Sequence, residues 1–285
     1  GIALIAFTVF LTNELTVEEP LLDLRLLLNH NFGMSNIIMI IFSIGMFGST
    51  FLLPIYLQTS LGYSALQSGA VFLPVGIIQG ILAPISGRIS DKINPKFPIL
   101  IGIVILALSF FLNSKLSWLT ELHYIMLSLY LRGFGMGVIF TALSTISLLD
   151  IPRDKMAQAS AITNSIRQLG GSLGVALLAT LLTSRISFHS QVYGGAIKQG
   201  SEVYQETMNK LKYHIQYEAG SSPSTSIKQG QSLLMSNMGT QAYVEGINDD
   251  FLLAGIITLL GGIPVIVLHT KKSKTEKTQH IPVHE

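Results

Sequence analysis

An arginine inside an apolar segment is the residue whose chemistry most needs an explanation in this chain. Arg132 follows Tyr124, where an apolar run reaching Leu149 begins, by about two helical turns, or roughly 12 Å at ~1.5 Å per residue. A guanidinium at that depth in a membrane costs several kcal/mol unless it faces protein, a water-filled cavity or a partner. We predict that Arg132 lines a transport cavity. The alternative is that it snorkels to the outer surface or pairs structurally.

A second polar group lies further along the chain and contains Asn164, Arg167 and Gln168. Asn164 and Gln168 are four positions apart, so on a helix they share one face. They could bind a polar substrate, or bond to a neighbouring helix, which is the commoner case. Arg167 lies nearer a cytoplasmic end than Arg132, so snorkelling explains it more simply. We retain all three as candidates for the cavity.

Small residues accompany both polar groups. Gly133 and Gly137 form a small-xxx-small pair, which permits close packing of membrane helices. Gly170 and Gly174 repeat that spacing and, with Ser172, also match the G-x-S-x-G pattern of serine hydrolases. That pattern requires a strand–turn–helix context and a catalytic triad. The surrounding sequence predicts a membrane helix instead, so we assign these glycines to helix packing.

A basic segment at residues 87–96 is predicted to be a turn between two membrane spans. Gly87 would let the chain leave a helix at low steric cost. Asp91 could accept hydrogen bonds from the N–H groups of a nearby helix N-terminus, and Lys92 could bind anionic headgroups. The alternative is a basic loop that sets topology and has no other role.

The elements that must position these residues are apolar helices. Apolar residues make up 49% of the chain and charged residues 12%, about half the charge usual in soluble domains. The apolar residues cluster in runs of about 20, long enough to cross a bilayer, where a spanning segment must be helical. The sequence therefore predicts an all-α integral membrane bundle. Its predicted spans are residues 1–11 (partial), 37–57, 66–86, 99–113, 124–149 and 159–182, all within a bundle of residues 1–183, and a last span at 251–269.

The distribution of lysine and arginine predicts the orientation. One set of short loops is basic and the opposite set holds only Lys115, so the basic side is expected in the cytoplasm of a plasma-membrane protein. Residues 184–250 then form a long extracytoplasmic loop with helices near 202–218 and 229–247. Residues 270–285 form a cytoplasmic tail. The basic residues that decide this, besides those of the tail, are Arg25, Arg88, Lys92, Lys96, Arg153 and Lys155.

The chain lacks the residues that several classes of chemistry require. The chain has no cysteine, which removes thiolate catalysis and cysteine metal sites, and it has no nucleotide phosphate loop. We expect no metal, no cofactor and no enzymatic activity. Asp150, Asp249 and Asp250 are placed at span edges, so no carboxylate is expected well inside a span. A proton-binding group is therefore expected in a missing N-terminal half, because the first segment begins at Gly1 and is too short to span.

Five stretches together resemble one family of transporters. They lie at residues 19–25, 61–69 (followed by Leu73 and Pro74), 87–96, 159–174 and 242–251. The chain resembles the second half of the drug:proton antiporters of the EmrB/QacA type, the fourteen-span branch of the major facilitator superfamily. The resemblance runs along most of the chain.

The resemblance implies proton-driven export of hydrophobic or cationic small molecules by alternating access. In that family a cytoplasmic loop motif, which residues 87–96 resemble, stabilises one conformation. The resemblance implies this role for Gly87, Asp91 and Lys92. The implied partners are a small-molecule substrate, protons, the lipid bilayer and the missing N-terminal half, with no nucleic acid. Two alternatives stay open: an exporter of one specific metabolite, and a membrane scaffold or receptor that transports nothing.

Overall fold

The computed structural model describes residues 2–17, 22–196, 201–219 and 222–268. Their regular structure is helical throughout, as the apolar runs require. Two short 3-10 helices lie at Leu24–Leu28 and Arg153–Lys155. The α-helices are α1 (Ile2–Thr16), α2 (His30–Thr59), α3 (Ala65–Val71), α4 (Leu73–Lys92), α5 (Lys96–Asn113), α6 (Leu122–Leu148), α7 (Met156–Ala196), α8 (Glu202–Ala219), α9 (Pro223–Leu260) and α10 (Gly262–Val267).

Six helical segments in the described residues are long and apolar enough to cross a membrane. They confirm the predicted all-helical membrane bundle. The six segments are His30–Thr59, Ala65–Ser90, Lys96–Asn113, Leu122–Leu148, Arg153–Gly195 and Pro223–Val267.

The second of these segments differs from its prediction in two ways. It is broken at Phe72 into α3 and α4, because Pro74 in the first turn of α4 has no N–H to continue the preceding helix. The second part then continues through Lys92, and Ile93 is the first extended residue. Gly87 therefore lies inside α4, and the predicted turn over residues 87–92 is wrong. The turn comes only before Pro95, which disfavours helix at the preceding residue.

The segment predicted as a long loop at 184–250 is largely helical. The helix α7 continues past residue 182 to Ala196, and α9 starts at Pro223 and continues into the last apolar run. The two helices pack on each other beyond the predicted membrane boundary, where a Cβ at Gly246 would come within 3.0 Å of the Ile186 side chain. Their polar residues remain helical because each helix covers an apolar face of the other.

Glycines set the distance between the central helices. A Cβ at Gly174 of α7 would lie 2.4 Å from the carbonyl oxygen of Ile44 in α2, and one at Gly170 would lie 3.0 Å from that of Ile40. On α6, a Cβ at Gly133 would lie 3.0 Å from the backbone of α4, and one at Gly137 would lie 3.2 Å from it. Because these backbones almost touch, side chains on either flank are held in fixed positions.

The two ends of the bundle are fastened by polar contacts. At the basic end Asp23 accepts a hydrogen bond from Lys155 Nζ at 2.7 Å, and this bond holds the pKa of Asp23 below its ordinary value. At the opposite end Asn248 of α9 both accepts from the N–H of Leu116 and donates to its carbonyl. Both contacts join segments far apart in the sequence, so they fix the register of the helices.

Candidate functional site

A cavity of about 220 Å³ opens between α6 and α7 near the basic end of the bundle. Phe140, Ser144, Ser147 and Leu148 face it from α6, at the three- and four-residue spacing of one helix face. Ser160, Thr163, Asn164 and Arg167 face it from α7 at the same spacing, and α2 contributes Met39. The cavity thus has an apolar wall of three side chains and a polar wall of hydroxyl, amide and guanidinium groups.

Arg167 supplies the charge of this cavity. Its guanidinium stacks over the Phe140 ring at 5.1 Å and donates one hydrogen bond, from Nη2 to Asn164 Oδ1 at 2.8 Å. Within the part of the chain that the structure describes, no carboxylate lies within ion-pair distance of Arg167. A guanidinium has five N–H donors, so most of its donor capacity is open to a ligand.

Two hydroxyl groups of the cavity have no hydrogen-bond partner among the described residues. They are Ser147 Oγ and Thr163 Oγ1, and both atoms are buried. Buried hydroxyl groups in membrane helices usually bond to their own backbone, as Ser128 does with Ile125 in the same helix α6. The unpaired state costs free energy, and five other buried serine hydroxyl groups among the described residues share it.

Arg132 occupies a different environment. It is 1% exposed and is not among the residues that line this cavity. Its Nη2 donates to Met46 O at 3.0 Å, to Ser49 Oγ at 3.1 Å and to Thr50 Oγ1, all on α2. The opposite face of the guanidinium lies over the Phe110 ring at 5.5 Å. The side chain therefore joins α6 to α2 in the interior of the bundle.

The structure brings together only part of the predicted site. Asn164 and Arg167 line one cavity, whereas Gln168 is exposed and Arg132 lies elsewhere. The loop motif is also separate: Gly87 faces Thr141 on α6 with room for a Cβ at 3.5 Å, and Lys92 is exposed. The side chain of Asp91 lies outside the described residues.

The sequence placed Asp250 at the edge of a span but did not show that it is buried. It lies inside α9, is fully buried, and neither carboxyl oxygen has a hydrogen-bond partner among the described residues. The neighbouring Asp249 is half-buried and contacts His189 Nε2 at 2.9 Å and Arg185 Nε at 3.5 Å. The signal was present in the sequence, because Asp250 shares a helix face with the buried Ile247 and Ala254.

Comparison with known proteins gives the context of this site. Residues 2–175 match the family model of the Major Facilitator Superfamily. The chain is 30% identical over 97% of its length to the uncharacterized MFS-type transporter YhcA of Bacillus subtilis (strain 168), covering 52% of that protein.

Two further relatives carry functional names. The fatty acid resistance protein FarB of Neisseria gonorrhoeae is 28% identical over 93% of the chain, which covers 50% of it. The multidrug export protein EmrB of Escherichia coli (strain K12) is 31% identical over 66% of the chain, which covers 37% of it. The chain thus spans about half, or less, of the length of these relatives.

Proposed function

The chain belongs to the Major Facilitator Superfamily, and from that premise we propose that it forms the C-terminal half of a proton-coupled exporter of hydrophobic small molecules. The EmrB/QacA resemblance would extend the range to cationic compounds. The observation that carries the proposal is the cavity between α6 and α7, where the Arg167 guanidinium, which pairs with no carboxylate among the described residues, lies beside an apolar wall. Relatives named for multidrug export and fatty acid resistance support the same class of cargo.

The missing half and the orientation are part of this proposal. A chain that covers about half of its relatives would pair with a second bundle, and the cavity would open toward it for alternating access. The basic loops around Lys96 and Arg153 would lie in the cytoplasm, which places the C-terminus on the same side. The loop residues Gly87, Asp91 and Lys92 would steady one conformation at that surface.

Asp250 is the proton carrier in this proposal. An anionic carboxylate buried without a donor costs several kcal/mol, whereas its protonated form is neutral and much cheaper to bury. Intramembrane carboxylates of transporters commonly serve as proton relays. Arg132, by contrast, is a structural group here, since the α2 acceptors and Phe110 already occupy its guanidinium.

Everted membrane vesicles containing the complete gene product test both parts of the proposal. The wild type should accumulate hydrophobic compounds from a drug panel when the vesicle interior is acidified, and added substrate should release protons from the vesicles. Asp250→Asn should abolish substrate-dependent proton release, whereas Asp249→Asn, a matched change at the half-buried neighbour, should retain it.

Two results would overturn parts of this scheme. Failure of the wild type to move any compound of the panel or any candidate metabolite would contradict export altogether. Export of a single metabolite alone would favour the alternative of an exporter that is specific for one metabolite. Unchanged proton release in Asp250→Asn would contradict the proton role of Asp250 and leave export intact.

A further inference from the structure

The charge of the cavity between α6 and α7 selects among possible cargoes. Arg167 is the charged residue of its lining, and no acidic side chain is among the nine residues that face it. A cationic headgroup placed there would meet a like charge a few ångströms away, and Coulomb repulsion at a partly buried site is stronger than in water. An anionic headgroup would instead gain a charge-assisted hydrogen bond from the guanidinium.

The hydrogen-bond inventory favours the same ligand chemistry. A carboxylate accepts hydrogen bonds at two oxygens and donates none. Around the cavity, Arg167 has open N–H donors, and the hydroxyl groups of Ser147 and Thr163 are unpaired. The Ser147 and Thr163 oxygens have almost no accessible surface in this conformation, so a ligand reaches them only when their side chains rotate. The available groups therefore suit one bound oxyanion.

The size of the cavity limits what can enter. At about 220 Å³ it is smaller than the ~300–1,000 Å³ typical of pockets that enclose a drug-sized molecule. It fits a headgroup with its first carbons, and Phe140, Met39 and Leu148 offer those carbons an apolar wall. The rest of a longer ligand would extend out of the cavity.

From these three observations we propose that the cavity is an anion subsite, which binds the headgroup of amphiphilic carboxylates and makes them preferred cargo over cations of equal chain length. The proposal rests on the export function proposed above and narrows its substrate class. Arg167 binds the carboxylate, and Asn164 orients the guanidinium through their 2.8 Å hydrogen bond. Ser147 and Thr163 rotate toward the cavity and donate to the second carboxylate oxygen.

A matched ligand series tests the subsite. Octanoate, octylammonium and octanol share one chain length and differ in headgroup charge. Each is measured by equilibrium binding to the complete protein, reconstituted in phosphatidylcholine vesicles. The wild type should bind octanoate more tightly than octylammonium. Arg167→Gln should weaken octanoate binding about ten- to hundredfold, the loss expected for a charge-assisted hydrogen bond, with octanol affinity unchanged within about twofold.

Further variants separate recognition from folding. Arg167→Lys keeps the charge and should retain part of the octanoate affinity. Lys115→Gln removes an exposed cation at the other end of the bundle and should leave all three affinities unchanged. Ser147→Ala and Thr163→Val should weaken octanoate severalfold without lowering the thermal unfolding midpoint, because each removes a hydroxyl group that has no partner in the empty cavity.

The outcomes distinguish this subsite from the export function. Equal octanoate affinity in the wild type and Arg167→Gln, or tighter binding of octylammonium by the wild type, overturns the anion subsite even when drug export proceeds. A second set of vesicles with added phosphatidylglycerol tests a lipid occupant. Loss of octanoate binding there would assign the cavity to a lipid phosphate and overturn its role in cargo recognition. Unchanged octanoate binding supports the proposal.

Discussion

Two arginines in adjacent membrane helices have opposite environments. Arg132 in α6 is fully buried and donates to a backbone oxygen and two hydroxyl groups of α2. Arg167 in α7 is half-buried and gives one hydrogen bond to a neighbour on its own helix. Each stacks on one phenylalanine, at 5.5 and 5.1 Å respectively. The difference lies in how many donors remain for a ligand.

This difference shows that depth along a helix does not by itself predict how many donors a guanidinium keeps for a ligand. The deeper arginine was the stronger candidate for a cavity from its sequence position, because its charge is the more costly to bury. That same cost is met in the structure by acceptors on α2, in the turn before Pro54. The shallower arginine lacks such acceptors and lies beside open space. We therefore propose that a charge used in binding is better recognised by its unused donors than by its burial.

The largest effect that tests the comparison is expected for Arg132→Gln. A cavity role predicts lower transport at an unchanged amount of protein in the membrane. The α2 contacts predict instead a loss of about 3 kcal/mol in the free energy of unfolding, because several charge-assisted hydrogen bonds and a large buried side chain are lost together. Thermal unfolding of the purified protein and its amount in the membrane measure this. If Arg132→Gln is present in the membrane in normal amounts and has a normal unfolding midpoint, the cavity role of Arg132 would be favoured again.

A change at the α2–α7 contact should affect both arginine environments at once. Gly174→Ala places a Cβ 2.4 Å from the Ile44 carbonyl oxygen, so the helices must separate, at a cost of about 1–3 kcal/mol for overpacking. Gly80→Ala is the matched control, since nothing lies within 4 Å of its Cβ position, and it should stabilise the helix by about 0.5–1 kcal/mol. The same unfolding midpoint for both variants would contradict the close contact.

Lys155 differs from both arginines because its charge is paired with a carboxylate, that of Asp23, at the end of the bundle. Its hydrogen bond lowers the pKa of Asp23, so the stabilisation is present above the unfolded pKa of about 3.9 and is lost as the pH falls through the lower folded value. Because the lysine side chain is 43% exposed, we expect Asp23→Asn to cost only about 0.5–1 kcal/mol at pH 7. The unfolding midpoints of both proteins should therefore converge as the pH falls below the ordinary aspartate pKa of about 3.9. A constant difference across that range would show that the contribution of Asp23 is not electrostatic.

The sequence predicted the helical bundle better than the helix ends or the site. Apolar runs located the spans, because a membrane forces each run to be helical. They could not locate the end of α7, since residues such as His189 remain helical through contacts with α9 that no local pattern encodes. Asn164 and Arg167 were accessible from their spacing. Ser147 and Thr163 were not, because an unpaired hydroxyl group has the same sequence signature as one bonded to its own backbone.

The smallest effect on stability is expected for Arg167→Gln, the counterpart of the first variant. The side chain is half-buried and gives one hydrogen bond to an exposed residue, Asn164. Its loss should therefore change the free energy of unfolding by no more than about 0.5 kcal/mol, while export of carboxylate cargo falls. Unfolding midpoints and export by cells containing equal amounts of each variant measure both quantities. A destabilisation equal to that of Arg132→Gln would show that both arginines serve the packing of the bundle, Arg167 through its contact with the Phe140 ring.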